Sequence, residues 1–191
     1  MWRKNKKLEF STVTTRGGDT GDSFLYSGER RGKDDPAFET VGEIDELSSR
    51  LGVVKARIRA VEHRFATEIA SIQTELQRVA SMVATRPDHE LAATIKAITD
   101  RDVEIVEKRE ADLLAAVEIA PVFVLPGEIG ELSALIDVAR AVCRRCERRI
   151  VTTIRDPALP RPDLHACQRY LNRLSDYLFI FGRYVEQHHR M

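Results

Sequence analysis

Residues 139–149 concentrate charged side chains that could bind an anion, with five arginines and one glutamate. The apolar residues around them recur at intervals of three and four, which predicts an amphipathic helix with one stripe facing a core. That stripe comprises Leu132, Leu135, Ala139, Val142, Cys146 and Ile150. Arg140 and Glu147 lie at one border of the stripe, with Arg144 and Arg148 just beyond it. Guanidinium groups are planar, permanently charged forks that match phosphate oxygens, so this flank could bind a polyphosphate. A solvated charged face is the alternative interpretation.

A second candidate for anion binding lies near the amino terminus. Residues 11–36 are rich in glycine and short polar side chains, which predicts a loop rather than a helix or a long strand. Glycine lets backbone amides approach an anion closely, so this loop has the chemistry of an anion-binding nest.

Length and composition limit the possible classes. At 191 residues, with 30 basic and 30 acidic side chains, we expect one domain without bulk attraction to nucleic acid or an anionic membrane. No apolar run is long enough to span a bilayer, and the first residues lack the apolar core of a signal peptide, so we expect a cytoplasmic protein. We interpret residues 1–13 as a flexible basic tail and residues 14–191 as the domain.

Helical periodicity recurs in five stretches, and these elements must position the charged residues. The predicted helices span about 38–58, 65–83, 102–117, 131–154 and 163–187, with Asp163 as candidate N-cap of the last. Together they predict an all-α, up-and-down bundle. The two prolines in 121–127 exclude a continuous helix there, and we expect its apolar middle to be buried.

The last helix carries more than one surface that favours burial. Asn172, Asp176 and Phe179 point away from its main apolar stripe, which indicates a subunit interface or a ligand, although a single exposed phenylalanine is ordinary.

The cysteines are interpreted as buried small hydrophobic residues rather than zinc ligands, because no second ligand pair has suitable spacing. They are Cys143, Cys146 and Cys167.

Four separated motifs follow one another along the chain. The first is the loop 15–23, Thr-Arg-Gly-Gly-Asp-Thr-Gly-Asp-Ser, and the second is 42–47, Gly-Glu-Ile-Asp-Glu-Leu. The third joins 123–127, Phe-Val-Leu-Pro-Gly, to the arginine helix, and the fourth is 172–177, Asn-Arg-Leu-Ser-Asp-Tyr. Over nearly its whole length the chain thereby resembles the PduO-type ATP:cob(I)alamin adenosyltransferases.

The resemblance implies a ferritin-like five-helix bundle that assembles as a homotrimer with active sites between subunits. It implies transfer of the 5′-deoxyadenosyl group of ATP to the cobalt of cob(I)alamin, giving adenosylcobalamin and triphosphate. Mg²⁺ is expected with ATP, held mostly by its phosphates, because a triphosphate needs a hard cation. A cobalamin reductase and an adenosylcobalamin-dependent enzyme are the partners implied, with no nucleic acid and no membrane.

The family's functional residues carry over onto matching positions. Arg140, Arg144, Glu147 and Asp45 match catalytic positions, with Arg140 pairing across the subunit interface with Asp45. The ATP-binding set comprises Thr15, Arg16, Gly17, Gly18, Asp19, Gly21, Ser23, Lys33, Arg144, Arg145, Glu147, Arg148 and Asn172. The cobalamin-binding set comprises Asp45, Phe123 and Phe179.

Several positions depart from the family pattern. Thr20 stands where the family loop usually has lysine, and Asp22 adds a negative charge, so phosphate affinity could be weaker. The other departures are Glu128, Asp137, Ala141 and one extra residue between Pro126 and Arg140. They leave open a catalytically reduced relative that carries or senses adenosylcobalamin. A helical assembly protein, whose charged helix only joins subunits, is a further alternative.

Overall fold

The computed structural model describes residues 9–157 and 159–189, and it is mostly helical, as the sequence predicts. Its helices and strands, in chain order, are α1 (Phe10–Val13), β1 (Asp22–Phe24), β2 (Arg30–Gly32), α2 (Pro36–Ile58), α3 (His63–Val83), α4 (Asp100–Leu114), α5 (Glu131–Ile154) and α6 (His165–His188). Two short 3₁₀ helices, Glu90–Thr94 and Pro162–Leu164, precede α4 and α6. Of the predicted tail, residues 1–8 lie outside the described residues, and Phe10–Val13 form the exposed single turn α1.

The arginine helix α5 packs on both α2 and α6, while α3 packs on α2 and α4 packs on α6. The predicted stripe of α5 is buried at Leu132, Ala139, Val142, Cys146 and Ile150. Burial of this stripe fixes the rotation of α5 about its axis, and therefore the direction in which its charged residues point. Within the described part of the chain, no helix combines the length and apolarity needed to cross a bilayer.

Local capping interactions define where the helices begin and end. Asp35 accepts a hydrogen bond from the amide of Ala37 at 2.8 Å, directly before Pro36 at the first position of α2. The buried guanidinium of Arg161 donates to the last carbonyls of α3, at Met82 and Val83. These caps hold the polypeptide segments on either side of the helices in fixed directions.

The expectation that Asp163 caps α6 is wrong. Its carboxylate instead pairs with Arg161 at 2.8 Å, and α6 begins after Leu164 without a side-chain cap. A buried arginine needs a counter-charge, and this requirement takes the carboxylate away from the helix terminus.

The glycine-rich segment contains a short antiparallel hairpin, which the prediction of a loop did not include. In β1 and β2, Asp22 lies opposite Gly32, and Phe24 lies opposite Arg30. The turn is fixed to the end of α3, because the amide of Tyr26 donates to the carbonyl of Ala84 at 2.9 Å. The hairpin is therefore anchored to the helical bundle through its turn, and the glycine-rich segment that precedes it stays largely exposed.

The expectation that the apolar middle of 121–127 is buried is wrong for the single chain. Val122, Phe123 and Leu125 are exposed, and the Phe123 ring is fully accessible. The two prolines and the left-handed backbone of Gly127 (φ 84°) keep this segment out of the helices, so no helical neighbour covers it. It forms an apolar strip on the surface.

Candidate functional site

The arginines of α5 divide into two sets according to the side of the helix on which they lie. Arg145 donates to Glu43 at 2.5 Å and also bonds Glu46, and Arg149 pairs with Glu39 at 2.9 Å. These carboxylates all belong to α2. The sequence resemblance places Arg145 with the ATP-binding residues, whereas its guanidinium lies against α2 and fixes the two helices to each other.

The other set faces solvent. Arg144 is exposed, and within residues 9–157 and 159–189 its guanidinium forms no ion pair. Arg148 is also exposed and donates to the backbone carbonyl of Arg144 at 3.1 Å. Two positive charges on one surface, without neutralising carboxylates, create a potential that attracts a multivalent anion.

Glu147 lies between these arginines in sequence but does not neutralise them. Its carboxylate accepts a hydrogen bond from the side-chain amide of Asn172 at 3.0 Å, which connects α5 to α6. The amide oxygen of Asn172 in turn accepts from Arg173 at 2.7 Å. The structure therefore brings together three predicted site residues, Arg144, Glu147 and Asn172, on adjacent helices.

A separate open groove, of 380 Å³, lies between α4, α5 and α6. Its lining includes Arg140, Asp176 and Phe179. The guanidinium carbon of Arg140 is 5.3 Å from the centroid of the Phe179 ring, a cation–π distance. The Nε of Arg140 is buried and has no hydrogen-bond partner in the described chain, and the side chain as a whole lines the groove.

The amino-terminal loop brings the ammonium group of Lys33 directly over Gly18. A Cβ atom on Gly18 would lie 2.8 Å from the Nζ of Lys33, so a side chain here would displace this ammonium group from its present position. Gly21 has φ 88°, and its carbonyl accepts from the amide of Lys33 at 2.8 Å. Arg16 also adopts a left-handed backbone, at φ 57°, a conformation that costs energy for a side chain with a Cβ atom.

The extra negative charge of Asp22 is compensated locally. Arg30 pairs with Asp22 at 3.0 Å across the hairpin and donates to the hydroxyl of Thr20 at 3.3 Å. Both residues that depart from the family loop therefore contact the same arginine. This arrangement reduces the repulsion that Asp22 alone would exert on phosphate.

The loop leads into the helices beside the arginine-rich part of α5. The hydroxyl of Thr153 lies 3.2 Å from the carbonyl of Pro36 and 2.8 Å from the hydroxyl of Thr40. The last turns of α5 thus adjoin the start of α2, where the loop ends. Arg148 lies little more than one turn from this junction.

Two predicted site residues lie apart from these groups. Asp45 is exposed on α2, and its carboxylate has no ion pair or hydrogen bond among the residues that the structure describes. Phe123 is in the exposed strip 121–127. The single chain therefore does not pair Asp45 with Arg140.

The cysteines are buried, as the sequence predicts. Burial raises the pKa of the Cys146 thiol to about 12 and also raises that of Cys143. These thiols are protonated near neutral pH and are poor nucleophiles. Within the described ranges, no group of three or more His, Cys, Asp and Glu side chains is placed to hold a metal ion.

Sequence reasoning missed a buried charge cluster beside the groove. Arg183 is only 5% exposed and pairs with Asp137 and Glu186, each at 2.7 Å. Its guanidinium carbon is 5.3 Å from the centroid of Phe179. The signal was present, because an arginine in the apolar stretch 177–185 requires a buried counter-charge.

Comparison with known proteins identifies clear relatives. A family model described as cobalamin adenosyltransferase matches residues 13–185. The human corrinoid adenosyltransferase MMAB is 38% identical over 183 residues, which cover 95% of this chain and 71% of the human protein. A corrinoid adenosyltransferase of Citrobacter freundii is 34% identical, over 91% of this chain and 94% of that protein.

A solved structure shares the fold. A variant of the PduO-type ATP:corrinoid adenosyltransferase from Lactobacillus reuteri, complexed with cobalamin and ATP, superposes with a TM-score of 0.81 at 28% identity. The match covers 92% of this chain and 93% of the other.

Proposed function

This chain belongs to the cobalamin adenosyltransferase family and is an ATP-dependent corrinoid adenosyltransferase, and we propose how its own residues divide the work of the reaction. In that reaction the electron pair of cobalt(I) forms a bond to the 5′ carbon of ATP. The bond from this carbon to the phosphate oxygen breaks, and its electron pair leaves with triphosphate. The products are adenosylcobalamin and inorganic triphosphate.

The observation that carries the assignment of roles is the division of the arginines on α5. Arg145 and Arg149 are neutralised by carboxylates of α2, whereas Arg144 and Arg148 are not. We assign the unneutralised pair to the triphosphate. Negative charge grows on the leaving group as the bond breaks, and cations already in position stabilise that charge without reorganisation. Arg145, in contrast, positions α5.

The amino-terminal loop completes the phosphate site. Residues 15–18 and Ser23 contact phosphate oxygens, and Lys33 adds a point charge over Gly18. The phosphates of ATP would hold the Mg²⁺ expected with this substrate, and its charge would neutralise part of the triphosphate charge. Glu147 and Asn172, which are hydrogen-bonded to each other at 3.0 Å, bind the nucleoside end.

The corrinoid binds at the groove that contains Phe179, with Phe123 as a second apolar wall. An apolar wall at the lower face of the ring excludes the axial base. Without that ligand, the cobalt is more easily reduced to cobalt(I). Phe123 is fully exposed in the single chain, which supports a role at a surface that a ligand or another subunit covers.

The chain assembles as a trimer of five-helix bundles with one site at each subunit interface. Two features support this assembly: among the described residues, Arg140 lines an open groove without an ion pair, and Asp45 is exposed without a partner. In a head-to-tail ring, Asp45 of one subunit pairs with Arg140 of the next. A cytoplasmic location, a reductase that supplies cob(I)alamin and an enzyme that uses the product stay predictions.

The reaction is tested by its stoichiometry. Purified protein with cob(I)alamin and MgATP should release one triphosphate for each adenosylcobalamin formed. A carrier or sensor would bind added adenosylcobalamin and form no triphosphate, and that result would contradict the catalytic assignment.

The location of the site between subunits is tested by mixing two defective variants. Asp45→Asn should weaken corrinoid binding while the trimer is retained, and Arg144→Ala should lower turnover. Equal mixing and reassembly should restore about a quarter of wild-type sites, because each intact interface needs Asp45 from one variant and Arg144 from the other. Activity that equals the average of the two separate variants would contradict a shared site.

A further inference from the structure

We propose that the buried ion-pair cluster of Asp137, Arg183 and Glu186 is a positioning device that sets the ring of Phe179 for corrinoid binding. The inference rests on the proposed function, since it assigns a role to residues behind the groove that we assign to the corrinoid. Asp137, Arg183 and Glu186 do not line that groove themselves.

The cluster is unusual for its burial. The side chains of Arg183 and Asp137 are 6% and 9% exposed, and that of Glu186 is 12% exposed. Asp137 belongs to α5, whereas Arg183 and Glu186 belong to α6, so the cluster joins the two helices that carry the site. The two helices are in close contact here, since a Cβ atom on Gly182 would lie at van der Waals distance, 3.6 Å, from the Asp137 carboxylate.

The link to the groove is the ring of Phe179. Arg183 and Arg140 each place a guanidinium carbon 5.3 Å from its centroid. Arg183 is held by two carboxylates, whereas Arg140 forms no ion pair in the described chain. The ring therefore contacts two arginines. Arg183 is fixed by its counter-charges, whereas Arg140 can respond to a ligand. A fixed guanidinium restrains the ring, since a cation–π contact is directional.

Loss of the cluster should affect the binding of one substrate, the corrinoid, and not that of the other. Removing Asp137 leaves Arg183 with one carboxylate, which frees the guanidinium to move and releases Phe179. Binding of the corrinoid should weaken, whereas ATP, which is assigned to other residues, should bind as before. A cluster that served only to stabilise the fold would affect both substrates or neither.

The experiment compares Asp137→Ala, Phe179→Ala and the double variant, with Asp163→Asn as the matched control. Asp163 also pairs with a buried arginine, Arg161, but lies at the opposite end of α6. Asp137→Ala should raise the KM for cob(I)alamin about tenfold, the order of effect of a lost cation–π restraint, with the KM for ATP unchanged. The visible spectrum of bound cob(II)alamin, which reports the axial ligand of cobalt, should change in the same variant. Asp163→Asn should leave both unchanged.

The double variant tests whether Asp137 acts through Phe179. Its KM for cob(I)alamin should equal that of Phe179→Ala, because residues that act through one contact are not additive. Effects that multiply would overturn the inference, as would a folded Asp137→Ala with the wild-type KM for cob(I)alamin. Asp137→Asn, of nearly the same shape, replaces Asp137→Ala if the latter does not fold, and failure of both to fold would assign the cluster to stability alone. A wild-type KM in Phe179→Ala would instead show that the corrinoid site is wrongly placed.

Discussion

Asn172 on α6 donates its side-chain amide to the carboxylate of Glu147 on α5 at 3.0 Å. This bond occupies the glutamate that could otherwise neutralise Arg144 and Arg148, its neighbours on α5. The bond keeps the glutamate turned towards α6 without cancelling its charge, so that among the described residues neither arginine forms an ion pair with it.

Asn172→Asp places a second carboxylate beside Glu147 and removes the donor between them. The repulsion should turn Glu147 towards the arginines, weakening their hold on triphosphate and raising the KM for ATP about tenfold. Steady-state kinetics with ATP varied checks this result. Asn172→Ser, which keeps a donor without adding charge, should have the smaller effect, and equal effects would assign the loss to shape rather than to charge.

Arg144→Ala should lower kcat by about a hundredfold, the usual cost of removing one preorganised charge that stabilises a transition state. Its melting temperature should change by less than about 2 °C, since the side chain is exposed and outside the apolar stripe. Calorimetry and turnover of the same preparation provide both values. Arg169→Ala is the control, because Arg169 is an exposed arginine on α6 and, among the residues that the structure describes, pairs only with Asp100 at the surface. Equal losses of turnover and stability in Arg144→Ala would contradict a catalytic role for Arg144.

Gly18→Ala should raise the KM for ATP on the order of tenfold. The added Cβ would lie 2.8 Å from the Nζ of Lys33 and would displace the ammonium group from its place over the loop. Gly42→Ala on α2 is the matched control, because a Cβ there meets nothing within 4 Å. If both variants bind ATP like wild type, Lys33 does not act on phosphate from this position.

Asp102 gives the stability of the protein a defined acid dependence. Burial favours the neutral carboxyl, but hydrogen bonds from Arg78 and Thr99 outweigh this effect and lower its pKa from 3.8 to about 2. The folded state therefore gains about 2 kcal/mol from this group above pH 3.8, and loses it as the pH falls towards 2. The free-energy difference in urea unfolding between wild type and Asp102→Asn should be roughly half as large at pH 3 as at pH 5. A constant difference would contradict the shift.

The sequence was sufficient to predict most of the fold, for identifiable reasons. The stripe of α5 is buried and its bounds match, because a period near 3.6 and two flanking breaks define a helix locally. The prediction that the apolar middle of 121–127 is buried was wrong for the single chain. Apolar composition does not specify whether the residues that bury a segment belong to the same chain. The cap of α6 was wrong for a related reason, since Asp163 pairs with the buried Arg161, a contact that local pattern does not encode.

The candidate site was predictable to a similar degree. The contact between Glu147 and Asn172 follows from two motifs on adjacent helices, although neither motif alone specifies the bond. The contact of Arg145 with α2 was missed. Neighbouring residues on a helix point in directions about 100° apart, so that Arg144 faces solvent whereas Arg145 faces α2.

The most direct test of the central claim is an anaerobic assay with cob(I)alamin and MgATP. The visible spectrum is followed with and without wild-type protein, and with Arg144→Ala as the matched variant. We expect wild-type protein to convert cob(I)alamin to the alkylated cobalt(III) product, with little conversion by Arg144→Ala in the same time. Absence of product with wild-type protein, despite confirmed cob(I)alamin and a folded trimer, would contradict the account and favour a carrier of adenosylcobalamin.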